Sequence, residues 1–257
     1  MIDRSVIQLF GVSMHAWTMA ETVQVIRERL EAGLYTQQVV VSSGKMVNMQ
    51  SDPELAESVL SCDIINIDGA GVVVAGRVLG LNIPERVTGT DLFYRLLTIA
   101  EQDHYSVYFL GAEDGIIRET VRRIGRDYPQ LEIAGYHHGF FWDDETAVVQ
   151  DIKASGAEML FVGISSPKKE NFINKWDKKL GMKFVMGVGG TFDIVAGKVK
   201  RAPLWVQQSG FEWLFRVIQE PGRLWKRYLI SNTKFLWMLI RGCIHRDYRK
   251  NGCVGKG

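Results

Sequence analysis

Cysteine is scarce in this chain: Cys62, Cys243 and Cys253 are the three among 257 residues, widely spaced and without a CxxC pair. An odd, scattered set argues against a disulfide framework or a cysteine zinc site and fits a reducing compartment. Long apolar runs are also lacking. No stretch reaches the roughly 18 uninterrupted apolar residues that mark a membrane-crossing helix. The start, MIDRSVIQLFGVSMHAW, carries an early Asp and Arg and no small-residue cleavage site, so no secretory signal is read. A cytoplasmic location is the expectation.

Several familiar catalytic signatures are missing too. Gly69-Ala70-Gly71 follows an apolar run, but the third position of a GxGxxG fingerprint is Val74. Gly163-Ile164-Ser165-Ser166-Pro167 has the wrong frame for a GxSxG elbow, which disfavours a serine hydrolase. No DxD occurs, so the usual carboxylate motif for a manganese-bound nucleotide is absent. His137 and His138 stand together in GYHHGFF, yet a metal needs more partners at suitable spacing. No internal repeat or low-complexity segment is found.

What is present is an ordinary folded composition, 46% hydrophobic and 23% charged, long enough for one domain and an appendage. The net charge of +2 hides an asymmetry: from Trp213 onward ten Lys/Arg face Glu220 and Asp247, a tail of +8 on a body of −6. Up to about residue 200, amphipathic stretches such as 20–33 and DLFYRLLTIAEQD alternate with short apolar runs. QQVVVSS, DIINID, SVYFLGA, LEIAGYH, EMLFVGIS and KFVMGVGG are the expected strands. This alternation predicts an α/β, Rossmann-like, largely parallel sheet with helices on both faces. Ligands in such folds bind outside the carboxyl ends of the strands.

Beyond about residue 200 the strand signal stops, and large aromatics interleave with basic residues. The Pro221-Gly222 pair should split this region into two helical pieces. We therefore expect a catalytic unit over 1–200 and a helical appendage over 201–257, with the boundary near 195–210. Trp205, Trp213, Phe215, Trp225, Tyr228 and Trp237, with Arg216, Arg223, Lys226 and Arg227, suit a membrane interface. The other reading is a helix packed on its own core with a solvated basic face. No nucleic-acid module accompanies the tail, so no nucleic-acid partner is expected.

Individual residues read two ways at this level. Asp68, ending an apolar run, is either a helix cap or a carboxylate aimed into the crevice as a general base. Arg86, in IPERVTGTD, is either a loop ion pair or a fork for a diphosphate leaving group. Gly187, Gly189 and Gly190 form either a tight turn or a cradle of bare amides for phosphate. Thr90 or Asp91 is expected to cap the following helix, and Asp143, Asp144 and Glu145 to open another.

Taken together, DGAGVV, PERVTGTDL, YFLGA, GYHHGFF, GISSPKKE, GVGGTFDIVAGKVKRAP and FEWLFRVIQEPGRLWKR resemble, in that order, the WecG/TagA/CpsF family, glycosyltransferase family 26. The resemblance covers roughly residues 8–230 and is most specific from Gly187 to Arg227. It implies an inverting, metal-independent transferase without a cofactor. Such an enzyme moves a hexose from a UDP-sugar to a polyprenyl-diphosphate-linked sugar at the inner membrane leaflet, in cell-surface polysaccharide synthesis such as exopolysaccharide assembly. By position, Asp68 matches the family's proposed base and Arg86 the arginine that steadies the departing diphosphate. Ser42, Ser43, Gly69, Gly111, Lys169, Gly189, Gly190 and Asp193 fall where the donor is held. Arg216, Arg223 and Arg227 fall in the appendage thought to dock on the membrane and close the site.

Two positions depart from the family pattern. VVVSSGKM places Ser42 or Ser43 where an Asn is usual, and PKKE places Lys169 where PKQE has an amide. The donor is accordingly either of N-acetylmannosamine type or of glucose type. The competing classes are a non-catalytic nucleotide-binding protein of the membrane surface and a dinucleotide-dependent oxidoreductase. A homo-oligomer is left open.

Overall fold

The computed structural model describes residues 5–244. Cys253 and the terminal Arg246, Arg249, Lys250 and Lys256 lie outside them, as does the side chain of Arg223. The chain builds one eight-stranded sheet in the order β1-β2-β4-β3-β8-β7-β5-β6. Its strands are β1 (Val6–Leu9), β2 (Val12–His15), β3 (Thr36–Val41), β4 (Ile64–Ile67), β5 (Val107–Gly111), β6 (Ile133–His137), β7 (Met159–Gly163) and β8 (Phe184–Gly187). All pairings are parallel except β1 with β2. That hairpin turns on Phe10 and Gly11, both at positive φ (51° and 81°). A Phe in this conformation is unusual, so the turn was not legible from residue type.

Alternate residues of each central strand serve opposite faces, the period-2 rule of a pleated strand. Phe161 and Phe184 belong to one apolar cluster, while Leu160, Val162 and Val185 belong to another. The first face is covered by α1 (Met19–Glu31), α5 (Gly89–Gln102), α6 (Asp114–Asp127) and α9 (Thr191–Val195). The second is covered by α2 (Ser43–Met49), α3 (Pro53–Leu60), α4 (Ala70–Val78), α7 (Glu145–Ala154) and α8 (Lys168–Trp176). The expected α/β architecture is thus the observed one.

Local chemistry sets the element ends. Thr18 and Glu21 form a reciprocal capping box at the start of α1, and Gly33 takes the left-handed conformation just past its end. Thr88, rather than Thr90 or Asp91, caps α5: its hydroxyl accepts from the Asp91 amide at 3.1 Å. Asp91 is consequently the first-turn acid, not the cap. Asp144 caps α7, as its acidic cluster suggested.

After α9 come α10 (Leu204–Gln208), α11 (Glu212–Gln219) and α12 (Pro221–Ile244). The break falls at the Pro-Gly pair, with Pro221 as the first helical residue, where its missing N–H costs nothing. One face of α12 returns to the sheet unit. Leu224, Ser231 and Phe235 are buried, and Phe235 meets Phe10 edge-to-face at 5.7 Å. The core-packing reading of the tail therefore holds for one face of α12.

Candidate active site

The carboxyl ends of β3, β4 and β8 converge on one crevice, because β3 lies between β4 and β8 in the sheet. Asp68 follows β4 directly, its amide still bonded to the Val41 carbonyl at 3.0 Å. The loop is tight. A Cβ on Gly69 would lie 3.0 Å from the Ser43 amide nitrogen and 3.2 Å from Ser42 Cα. Glycine at 69 lets the two strand-end loops touch. Ser42 spends its hydroxyl on the Lys45 amide, at 3.4 Å, as the cap of α2.

Asp68 is partly accessible yet closely surrounded. Burial is the largest influence on its carboxyl and carries it from an ordinary 3.8 up to about 6. Arg86 opposes the rise, Glu212 adds to it, and Lys45 and the Gly89 amide oppose it again. That amide lies at the N-terminus of α5, where a helix favours negative charge. Asp68 is therefore a carboxylate held near neutral-pH titration, within the influence of the Arg86 guanidinium. The Arg86 Nη2 itself stands 3.5 Å from Glu212 Oε2 on α11.

Beside this pair lies a buried charge cluster that residue patterns did not disclose. Lys45 Nζ is 2.7 Å and Lys169 Nζ 2.9 Å from Glu170 Oε1, and Lys45 also donates to the Val40 carbonyl at 2.8 Å. Burial alone would raise Glu170; the ammoniums of Lys45 and Lys169 outweigh it and hold the carboxyl at about 2. Lys169 is pushed down to about 8, chiefly by burial and then by Lys45. Its stem runs along the end of β8, where a Cβ on Gly187 would come within 2.7 Å of Lys169 Cε. A glycine at 187 is what admits this lysine. The signal for Lys45 was its place one turn beyond the end of β3, and for Glu170 its place in the first turn of α8 after β7, each weak by itself.

The β8 turn completes the crevice. Gly189 is left-handed at φ 55°, and a Cβ on Gly190 would meet Arg216 Nη2 at 3.1 Å and Asp193 Oδ2 at 3.8 Å. Arg216, Gly190 and Asp193 are thus brought together. Gly111 ends β5, two strands from β8 along the same edge of the sheet. At φ 133° a Cβ there would fall 2.5 Å from the Gly163 carbonyl, so glycine is needed for β5 and β7 to pack. It sits four strands from β4, about 19 Å at normal strand spacing. Arg227 is exposed and lies over the Tyr228 ring at 5.3 Å. His137 Nδ1 is 2.8 Å from the His138 carbonyl oxygen, and among the described residues no group of three or more His, Cys, Asp or Glu is arranged to hold a metal.

The Glycosyl transferase WecG/TagA/CpsF family matches residues 7–249. A Bacillus spizizenii protein named N-acetylglucosaminyldiphosphoundecaprenol N-acetyl-beta-D-mannosaminyltransferase is 40% identical over 186 residues, 72% of this chain and 71% of its own. Proteins of the same name from Bacillus subtilis (34% over 190 residues, 74% and 73% covered) and Staphylococcus aureus (29% over 226 residues, 86% of each) also match. With nearly the whole chain matched and the strand-end motifs in one crevice, the protein belongs to the WecG/TagA/CpsF family of glycosyl transferases.

Proposed function

We propose that the protein transfers a hexose from a UDP-sugar to a polyprenyl-diphosphate-linked sugar at a membrane surface, with inversion at the anomeric carbon. The observation that carries this reading is Asp68, a carboxyl at about 6 under the influence of Arg86 in the strand-end crevice. A base works best when it titrates near the operating pH. In the proposed step Asp68 takes the proton of the acceptor hydroxyl as that oxygen bonds to the anomeric carbon. The bond to the diphosphate breaks on the opposite face, its electron pair passes to the β-phosphate oxygen, and Arg86 offsets the growing charge.

For the donor, the names of the relatives support a sugar of N-acetylmannosamine type on an N-acetylglucosamine acceptor. A glucose-type donor is the second reading. It is kept open by Lys169, an ammonium that only donates, and by Ser42, whose hydroxyl is engaged as a cap, where the family pattern has amides. Release of UDP from a panel of UDP-sugars, with detergent-solubilised polyprenyl-diphosphate sugars and EDTA present, tests the whole reading. We expect release with one donor, dependent on acceptor and indifferent to EDTA. Absence of UDP binding altogether would move the assignment to a non-catalytic surface protein.

The membrane part of the proposal rests on α12. Among the described residues no helix is long and apolar enough to cross a membrane. At 100° per residue, Trp225, Leu229, Leu236 and Ile240 fall in one sector, about 130° round the helix from Leu224, Ser231 and Phe235. Trp225 is 53% exposed and Trp237 59%, an apolar band that solvent does not favour. Lys226, Arg227, Lys234 and Arg241 border it, the pattern of a helix lying in an anionic interface. Replacing Trp225, Leu229 and Trp237 by serine should weaken binding to phosphatidylglycerol vesicles about tenfold or more. The melting temperature should hold, since these side chains face away from the core. Co-sedimentation equal to that of the unmodified chain would remove the membrane role from this face.

A further inference from the structure

The segment over the crevice carries an acid that the proposed reaction does not use. Gly210, at φ 80°, lies so close to the N-terminus of α4 that a Cβ would be 2.9 Å from Ala70 Cβ. From there α11 crosses toward the Gly190 turn, which Arg216 meets at the far end. Glu212 stands at the first position of α11, with Oε2 3.5 Å from Arg86 Nη2 and both side chains about a quarter exposed or less.

We infer that Glu212 is a stand-in anion, built into this covering helix, which occupies the Arg86 guanidinium until the diphosphate of the donor displaces it. The inference rests on the reading of Arg86 as the diphosphate-binding residue. A guanidinium fork matches a carboxylate and a phosphate in the same way. A diphosphate placed on Arg86 sets its charges beside Glu212 and Asp68, and like charges in a partly dry crevice repel strongly. Glu212 must then leave Arg86, and because it begins α11 its release removes the ion pair that ties this covering helix to the Arg86 loop. The free enzyme binds nucleotide more weakly than its cationic groups alone would allow, since the site competes with itself.

Titration calorimetry with UDP on the full chain separates the possibilities. The variants are Glu212→Gln, Arg86→Ala and the double substitution. Glu212→Gln should bind UDP about three- to fivefold more tightly, the size of a partly exposed ion pair released. The gain should vanish in the Arg86→Ala background. A brace that merely held α11 in place would give the opposite sign, weaker binding on its removal. The pH profile adds a second readout. The groups around Asp68 are Arg86, Glu212, Lys45, Lys169 and the Gly89 amide. Removing the one added negative charge should move the acid limb of kcat/KM to lower pH.

If Arg86→Ala weakens UDP binding while Glu212→Gln leaves it unchanged or weaker, the stand-in role of Glu212 is overturned and the reading of Arg86 survives. If Arg86→Ala leaves UDP binding unchanged, the reading of Arg86 itself falls. Should Glu212→Gln fold poorly, Glu212→Asp keeps the charge but withdraws it by one methylene, and an intermediate gain in affinity is expected.

Discussion

Asp68→Asn should lower kcat by about 10²- to 10⁴-fold, the span of general-base assistance, while leaving UDP binding within a few-fold of the original. The isostere keeps the shape and can still accept from the Gly89 amide, but it cannot take a proton at neutral pH. Stability separates lost chemistry from a lost fold. The folded protein raises this carboxyl from 3.8 to about 6, so it favours the protonated form. At pH 7.5 the ionised carboxylate costs stability, and that cost declines as pH falls from about 6 and is gone below the ordinary value of 3.8. A neutral Asn should therefore melt no lower than the wild type at pH 7.5. The unmodified enzyme should gain kcat/KM as pH rises through about 6, and the Asn variant should lack that limb. Near-normal turnover by Asp68→Asn would remove the base assignment.

How far the sequence announces this site depends on the residue. Asp68, Gly69 and the Gly187–Gly190 turn were legible because a β-branched or apolar run ending in Gly or Asp marks a strand end, and strand ends in α/β sheets hold ligands. The parallel sheet was legible for the same reason, in the alternation of apolar runs and amphipathic stretches. The β1–β2 hairpin was not, since it turns on a Phe at positive φ where residue type predicts a glycine or asparagine. Helix α2 was missed because Ser43–Met49 is short, glycine-containing and without a clear periodic face. Lys45 and Glu170 meet only through the fold: one follows β3, the other lies 125 residues later in α8, and neither type is ordinarily buried. Glu212 was not legible because it sits among aromatics and its partner Arg86 lies 126 residues away. Arg227, which the motif match places in the docking appendage, lies exposed over the Tyr228 ring on α12.

Arg86→Ala should cost about 10²- to 10³-fold in kcat, the usual loss when a donor aimed at developing charge is removed. The same substitution acts on the base, and the sign can be worked out. Arg86 holds the Asp68 carboxyl below where burial alone would put it. Without the guanidinium that restraint is gone, while Glu212 stays nearby to push the carboxyl higher. The acid limb of kcat/KM should therefore move to higher pH, opposite to the shift expected for Glu212→Gln. Part of the lost activity at pH 7 should return as the pH is raised and Asp68 ionises; the leaving-group part should not. Arg86→Lys should restore the position of the limb better than the rate. A lysine supplies the charge that Asp68 responds to, but not the planar fork that meets a diphosphate on two oxygens. An acid limb that stays where it was in both variants would mean that Arg86 and Asp68 do not act on one another, and the two would have to be assigned to separate steps.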